Sequence, residues 1–418
     1  MPGLRLRWQR TALFFAVAGP GIITAAVDND ANGVATYSTA GAHFGYALLW
    51  TLPVAAVALI VIQEMAARMG AVTGLGLADL LREQLGVRPT AGVMAVLLLA
   101  NWANTVGDFA GVAGSLEIFR VPRLLGVPLA AVLVAVLVLR GGYRLVERIF
   151  LGASALYVLY AISAILARPQ WEVVFQAVVV PTWRPGSEYL VLVVALVGTT
   201  IAPWMQFYHQ AAVVDKGLTA NDVRYERADT ILGGLVTVLV AGSIIVATAT
   251  TLFPQGIRVE TAEDAARALA PLAGRYASLL FAVGLLNAAV FSVAIIPLST
   301  AYAICEAFGW EAGLDRPLAQ APVFYGLFLT VLAASALVIL WPGLPLIPVM
   351  VASQALNGIL LPVVLVIMLR LVNDRRLMGA HTNGAAGNAV AWATTVLLVG
   401  LSLALLLVTV LQGAGGRA

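Results

Sequence analysis

The sequence predicts an all-α polytopic membrane protein with about eleven transmembrane helices, and three observations carry that prediction. Hydrophobic residues make up 61% of the 418 and charged residues only 11%, whereas a soluble domain is about a quarter charged. The apolar residues gather into stretches long enough to cross a bilayer core, which takes about 20 residues of helix. The stretches lack the ~10-residue alternation of a membrane barrel, which leaves helices as the spanning element. Soluble cores stop growing at roughly 250–300 residues, so a bilayer has to solvate this much apolar surface.

The first stretch, 13–38, follows a short basic segment from Met1 to Arg10. A secretory signal begins in the same way. Here, however, Asp28 and Asp30 interrupt the stretch and a second apolar segment follows at once, so a retained span is expected. The remaining spans are expected at 46–67, 91–118, 124–140, 147–167, 188–212, 230–252, 276–306, 321–341, 346–370 and 389–411. With the N-terminus in the cytoplasm, about two thirds of the 24 Lys and Arg residues fall in cytoplasmic loops, among them Arg68, Arg82, Lys216, Arg375 and Arg376. Eleven spans then leave the C-terminus outside, in what is expected to be a bacterial inner membrane. The loops are short, so 1–418 reads as one transmembrane domain without a soluble module.

Several function classes are disfavoured. A net charge of +3, spread along the chain, offers no footprint for nucleic acid. Cys305 is the single cysteine, which allows no disulfide framework and fits simple packing. The three histidines stand at no recognisable spacing, and no nucleophile–base pair is visible, so an enzyme is not expected. Neither a cofactor nor an obligatory oligomer is implied, and a monomer in the lipid bilayer suffices.

Two spans carry polar, helix-hostile clusters where hydrocarbon should be. The first is Asp28-Asn29-Asp30-Ala31-Asn32-Gly33. The second is Gly198-Thr199-Thr200-Ile201-Ala202-Pro203-Trp204-Met205-Gln206. A carboxylate at the bilayer centre costs several kcal/mol or more, so it must face a cavity, a partner or a cation. Gly33 and Pro203 are expected to release backbone carbonyls from helix bonding. Unwound carbonyls beside carboxylates make a hard oxygen site suited to a cation. The breaks fall in spans 1 and 6, five spans apart. That spacing matches two five-span halves of inverted topology, 1–170 and 185–370, with an extra helix at 388–412. Elsewhere, Glu64 and Asn287 read as helix–helix glue and Glu117 as a solvated span end. His209 is expected to be a satisfied structural imidazole, and His43 and His381 to be loop residues. The mixed charges from Asp215 to Asp229 read as a solvated face.

At these breaks the sequence resembles the Nramp family of divalent metal transporters. Span 1 reads Gly19-Pro20, then Asp30, then Ala40-Gly41-Ala42-His43-Phe44-Gly45-Tyr46. Span 2 ends Ala66-Ala67-Arg68-Met69-Gly70. Span 10 gives Ser353-Gln354, with Asp374-Arg375-Arg376-Leu377-Met378-Gly379 beyond it. The resemblance implies a LeuT-like five-plus-five fold with broken helices 1 and 6, and a metal site that includes Asp30. It also implies transport-path roles for Asp108 and Gln354, with Asn357 one turn from Gln354 on the same face.

The departures from the family pattern carry chemistry. The family's Asp-Pro-Gly-Asn is Asp30-Ala31-Asn32-Gly33 here, its methionine ligand position is Ala202, and its histidine is Trp204. The family's Asp-x-x-Glu in span 3 is Asp108-Phe109-Ala110-Gly111. A thioether favours transition metals. Its loss leaves Asp30 with Asp28, Asn29 or Asn32 and the Thr199 carbonyl, an oxygen set suited to Mg²⁺ or Mn²⁺. In this the chain resembles the Nramp-related magnesium transporters. Tryptophan cannot titrate, so weak or absent proton coupling is expected. The alternatives are an ordinary proton-coupled transition-metal importer, or an organic-solute transporter of the same fold.

Overall fold

The computed structural model describes residues 29–140, 157–314 and 316–415. Among them there is no strand, and nine helical segments are long and apolar enough to cross a membrane. These nine match the expected spans 2 to 4 and 6 to 11. Spans 1 and 5 lie partly outside the described residues, which cover only their C-terminal portions.

In chain order the main helices are α1 (Ala31–Phe44), α2 (Thr51–Thr73), α3 (Leu77–Leu85), α4 (Val87–Ile118) and α5 (Arg123–Arg140). Next come α6 (Val158–Leu166), α7 (Trp171–Val179), α8 (Ser187–Thr200), α9 (Pro203–Asp215) and α10 (Val223–Thr251). The last four are α11 (Ala277–Phe308), α12 (Pro322–Ile339), α13 (Leu346–Asn373) and α14 (Ala385–Gly415).

Hydrophobicity all round a helix means burial in protein or lipid, and exposure separates the two. The apolar stretch through α8 and α9 is 94% buried, whereas that of α5 is 22% buried. The broken pair is therefore the interior of the bundle. α5 faces outward with Leu125, Leu129, Val132 and Leu133 exposed, as a lipid-facing helix should be. α4 is the central post: α11, α13 and α12 all pack against it. α1 lies between α10, α13 and α8, and α9 packs on α2. The positive φ of Gly74, 67°, ends α2 in a left-handed cap that a β-carbon would strain.

Two expectations are corrected here, and the reading of His209 holds. Glu226 and Asp229 are buried, because α10 begins at Val223 and turns them inward. Glu226 meets the buried His209 of α9 at 3.0 Å, which satisfies that imidazole. His43 is no loop residue; it ends α1, with Nδ1 at 2.6 Å from Glu188 and Nε2 accepting the Val259 N–H at 3.2 Å.

Candidate functional site

The second half of the first polar cluster is helical. α1 starts at Ala31, so Asn32 and Gly33 are helical and Gly33 frees no carbonyl. The reason is local. Asp30 is the N-cap, and its Oδ1 accepts the Gly33 N–H at 2.5 Å, which supplies a partner the first turn would otherwise lack. Asn29 is buried, and its carbonyl accepts from the Tyr157 hydroxyl. Asp28 lies outside the described residues.

Two glycines of α4 let this helix start settle against the central post. A β-carbon on Gly107 would lie 2.0 Å from Asn32 Oδ1, and one on Gly111 would lie 2.4 Å from Ala31 Cβ. In that contact Asn32 Nδ2 reaches Asp108 Oδ1 at 2.9 Å, the Asn104 carbonyl at 3.0 Å and Asp30 Oδ2 at 3.3 Å. The Asp108 carboxylate also faces the backbone N–H groups of Ala31 and Asn32, where a helix N-terminus favours negative charge. One amide thus bridges two carboxylates from different helices.

The network continues into α13. Asn104 Oδ1 accepts from Gln354 Nε2 at 2.8 Å and from Asn357 Nδ2 at 3.2 Å, and Asn357 Nδ2 also reaches Gln354 Oε1 at 2.9 Å. Asp30, Asn32, Asp108, Gln354 and Asn357 are therefore gathered into one buried cluster. Its hub, Asn104, is a residue that sequence reasoning passed over. The available signal was spacing: Asn101, Asn104 and Asp108 share one face of α4, three and four residues apart.

The second break is at Ile201 and Ala202, between α8 and α9. Pro203 begins α9 and has no N–H to give the Thr199 carbonyl four residues earlier. The Thr199 hydroxyl is buried and makes no hydrogen bond. The Ala202 N–H turns onto Met205 Sδ at 3.2 Å. A thioether is thus present at the break, three residues past the expected position, with its sulfur engaged by backbone. Trp204 is buried, 6.0 Å from the Tyr208 ring between centroids. Thr199, Ala202 and Trp204 share no hydrogen bond with the Asp30 cluster. The two breaks meet instead through Tyr37, whose hydroxyl lies 3.4 Å from Thr200 Oγ1, and through α13. A β-carbon on Gly198 would lie 2.0 Å from the Gln354 carbonyl.

Counting protons shows what the cluster can do. An amide nitrogen has two hydrogens, yet Asn32 Nδ2 faces four oxygens, the fourth being Asn104 Oδ1 at 3.5 Å. In the cluster Asn32 Oδ1 and Asn357 Oδ1 are buried with no donor, and so is Gln206 Oε1 on α9 beyond the second break. Buried acceptors without donors are costly, and a cation is the species that would satisfy several together. Among the described residues no three His, Cys, Asp or Glu side chains gather as a metal cluster. Amide, hydroxyl and backbone oxygens would complete the shell, a donor set for a hard ion.

Comparison with known proteins agrees with this architecture. The family model described as natural resistance-associated macrophage protein-like (Nramp) matches residues 21–408. The chain is 32% identical over 409 residues to the divalent metal cation transporter MntH of Ralstonia nicotianae, covering 92% of this chain and 88% of that one. A manganese transporter of Eremococcus coleocola superposes with a TM-score of 0.78 at 23% identity, covering 93% of this chain and 86% of that one. Mhp1, a nucleobase-cation-symport-1 family transporter, superposes with a TM-score of 0.59 at 16% identity, covering 94% and 91%. The fold is LeuT-like, with its sixth span broken between α8 and α9, and by sequence and fold alike the chain belongs to the Nramp family of integral membrane transporters.

Proposed function

We propose that this protein carries a divalent metal ion, Mg²⁺ or Mn²⁺, across the membrane by alternating access, with weak or no proton coupling. The observation that carries the reading is the acceptor surplus at the start of α1, where Asn32 stands between the carboxylates of Asp30 and Asp108. Asp30 and the Thr199 carbonyl would be principal ligands, with Asp28, Asn29 or Asn32 completing the set. Ala202 would widen the site. Asp108, Trp204, Gln354 and Asn357 would line the path. The two halves 1–170 and 185–370 would rock against each other, with 388–412 outside the repeat. The N-terminus would be cytoplasmic, the C-terminus outside, and the membrane the bacterial inner one. A monomer would be sufficient.

Weak coupling rests on Trp204 and Gly111 standing where the family pattern has His and Glu, and on the engagement of His209 by Glu226. One observation favours a second reading. Met205 Sδ lies at the break, and a rotation toward the site would give a transition metal its soft ligand. That would be an ordinary proton-coupled Nramp importer.

Uptake into proteoliposomes tests both, with Mg²⁺, Mn²⁺ and Ca²⁺ offered in turn and internal pH followed. Mg²⁺ and Mn²⁺ entry without acidification, lost in Asp30→Ala, is the expected result. Mn²⁺ entry with proton influx would favour the second reading. No divalent entry at all would overturn both.

A further inference from the structure

A cavity of about 450 Å³ opens between α2, α10 and the segment before α14, at the bundle end that carries the C-terminus of α2 and the N-terminus of α10. Its charged lining comprises Glu64, Arg68 and Arg227. Two guanidiniums therefore share one carboxylate: Arg68 Nη2 lies 3.0 Å from Glu64 Oε2, and Arg227 Nη2 lies 2.6 Å from Glu64 Oε1. The arrangement leaves one positive charge in excess.

The two arginines are held differently. Arg68 is 9% exposed and locked, since it also donates to the His381 carbonyl and, at 2.5 Å, to Asn383 Oδ1. Arg227 is 56% exposed and turns only Nε and Nη2 to the carboxylate. A guanidinium has five N–H groups in a planar fork that matches phosphate oxygens. The rest of that fork is available at the cavity mouth.

Position identifies the source of the anion. On α10, Leu239, Leu235 and Ile231 are exposed in sequence along one stripe, and Arg227 follows one turn beyond Ile231. On α2, Val57 is likewise exposed, and Glu64 and Arg68 follow on the same helix. The greasy stripe that acyl chains would cover thus ends where the excess positive charge begins. That is the depth of a lipid headgroup. Ile60, Val61 and Ile231 also line the cavity, giving it an apolar side as well as a charged one.

We propose that this cavity binds the phosphate headgroup of an anionic phospholipid, with Arg227 as the contacting cation and Arg68 holding Glu64 in place behind it. The site is separate from the metal path and does not depend on it.

Native mass spectrometry of the full chain, released from detergent with phosphatidylglycerol or phosphatidylcholine of matched chains, tests the proposal. Arg227→Gln removes an exposed side chain and should leave the fold intact. Gly384→Glu adds a carboxylate at the mouth, where a β-carbon meets nothing within 4 Å. Arg227→Gln is expected to weaken phosphatidylglycerol binding roughly tenfold, as losing one charge-assisted hydrogen bond would, Gly384→Glu to weaken it by like-charge repulsion, and both to leave phosphatidylcholine unaffected. Equal retention of both lipids, or phosphatidylglycerol binding indifferent to both variants, would overturn the proposal. Displacement of the lipid by inorganic phosphate at equal concentration would also overturn it, in favour of a soluble-anion site.

Discussion

The α-carbon of Gly198 stands so close to Gln354 that a β-carbon there would lie 2.0 Å from the Gln354 carbonyl oxygen and 2.4 Å from the Gly358 nitrogen. Both neighbours are backbone and cannot swing aside. Gly198→Ala must therefore push α8 away from α13. Overpacking of this kind costs about 1–3 kcal/mol or more. Thermal unfolding in detergent is expected to show that loss, and an unchanged midpoint would mean that α8 and α13 stand further apart in the membrane.

Asn104 collects two donors from α13 on one oxygen. Asn104→Ala leaves the Gln354 and Asn357 amides without that acceptor in a buried setting, a cost of about 1–3 kcal/mol. Asn104→Gln keeps an amide oxygen without adding a buried charge and is expected to recover part of that loss. The pair of unfolding midpoints, measured side by side, separates the hydrogen bond from the volume of the side chain.

The sulfur of Met205 and the short side chain of Ala202 make opposite predictions for selectivity. Ala202→Met puts a thioether where the family pattern has one and should shift uptake from Mg²⁺ toward Mn²⁺ and Cd²⁺. Met205→Leu should leave the Mg²⁺ to Mn²⁺ ratio unaltered, because Sδ serves the Ala202 N–H. Competition uptake with paired ions decides both. A fall in Mn²⁺ preference in Met205→Leu would show that this sulfur reaches the metal.

His209 and Glu226 form the one His–carboxylate pair among the described residues in which both side chains are almost fully buried, at 0% and 1% exposure. Glu226→Ala should destabilise the protein by roughly 1–3 kcal/mol if the imidazole is neutral and 3–5 if it is charged. Glu226→Gln should leave metal uptake per folded molecule intact, with no change in proton flux. A change in proton flux would make the pair a coupling site and remove the argument for an uncoupled carrier.

Much of the fold was legible because hydropathy is a long-wavelength signal. A 20-residue window averages over local errors, and α4, α13 and the broken pair α8–α9 taken together start and stop within a few residues of their expected bounds. Asp30 and Asp108 were legible because a charge in hydrocarbon needs a reason. Asn104 was not, since a lone amide in a long span is as compatible with helix–helix packing, and its partner Gln354 is 250 residues away. The helical state of Asn32 and Gly33 was missed because an aspartate that interrupts a span can equally cap a helix, and Asp30 does so through the Gly33 N–H. Glu226 and Asp229 were misjudged because a mixed-charge run does not reveal which face of the coming helix will be packed.

The surplus of oxygen atoms around Asn32 bears on the direction of traffic. On the proposed function, a loaded carrier is the relaxed form and the vacant one is under electrostatic tension, so the return journey is the slow leg. Swapping one ion for another avoids that leg. Isotope exchange at equal concentrations on both sides should therefore outpace net filling of an empty vesicle, and the ratio of the two rates would measure how reluctant the vacant site is to cross.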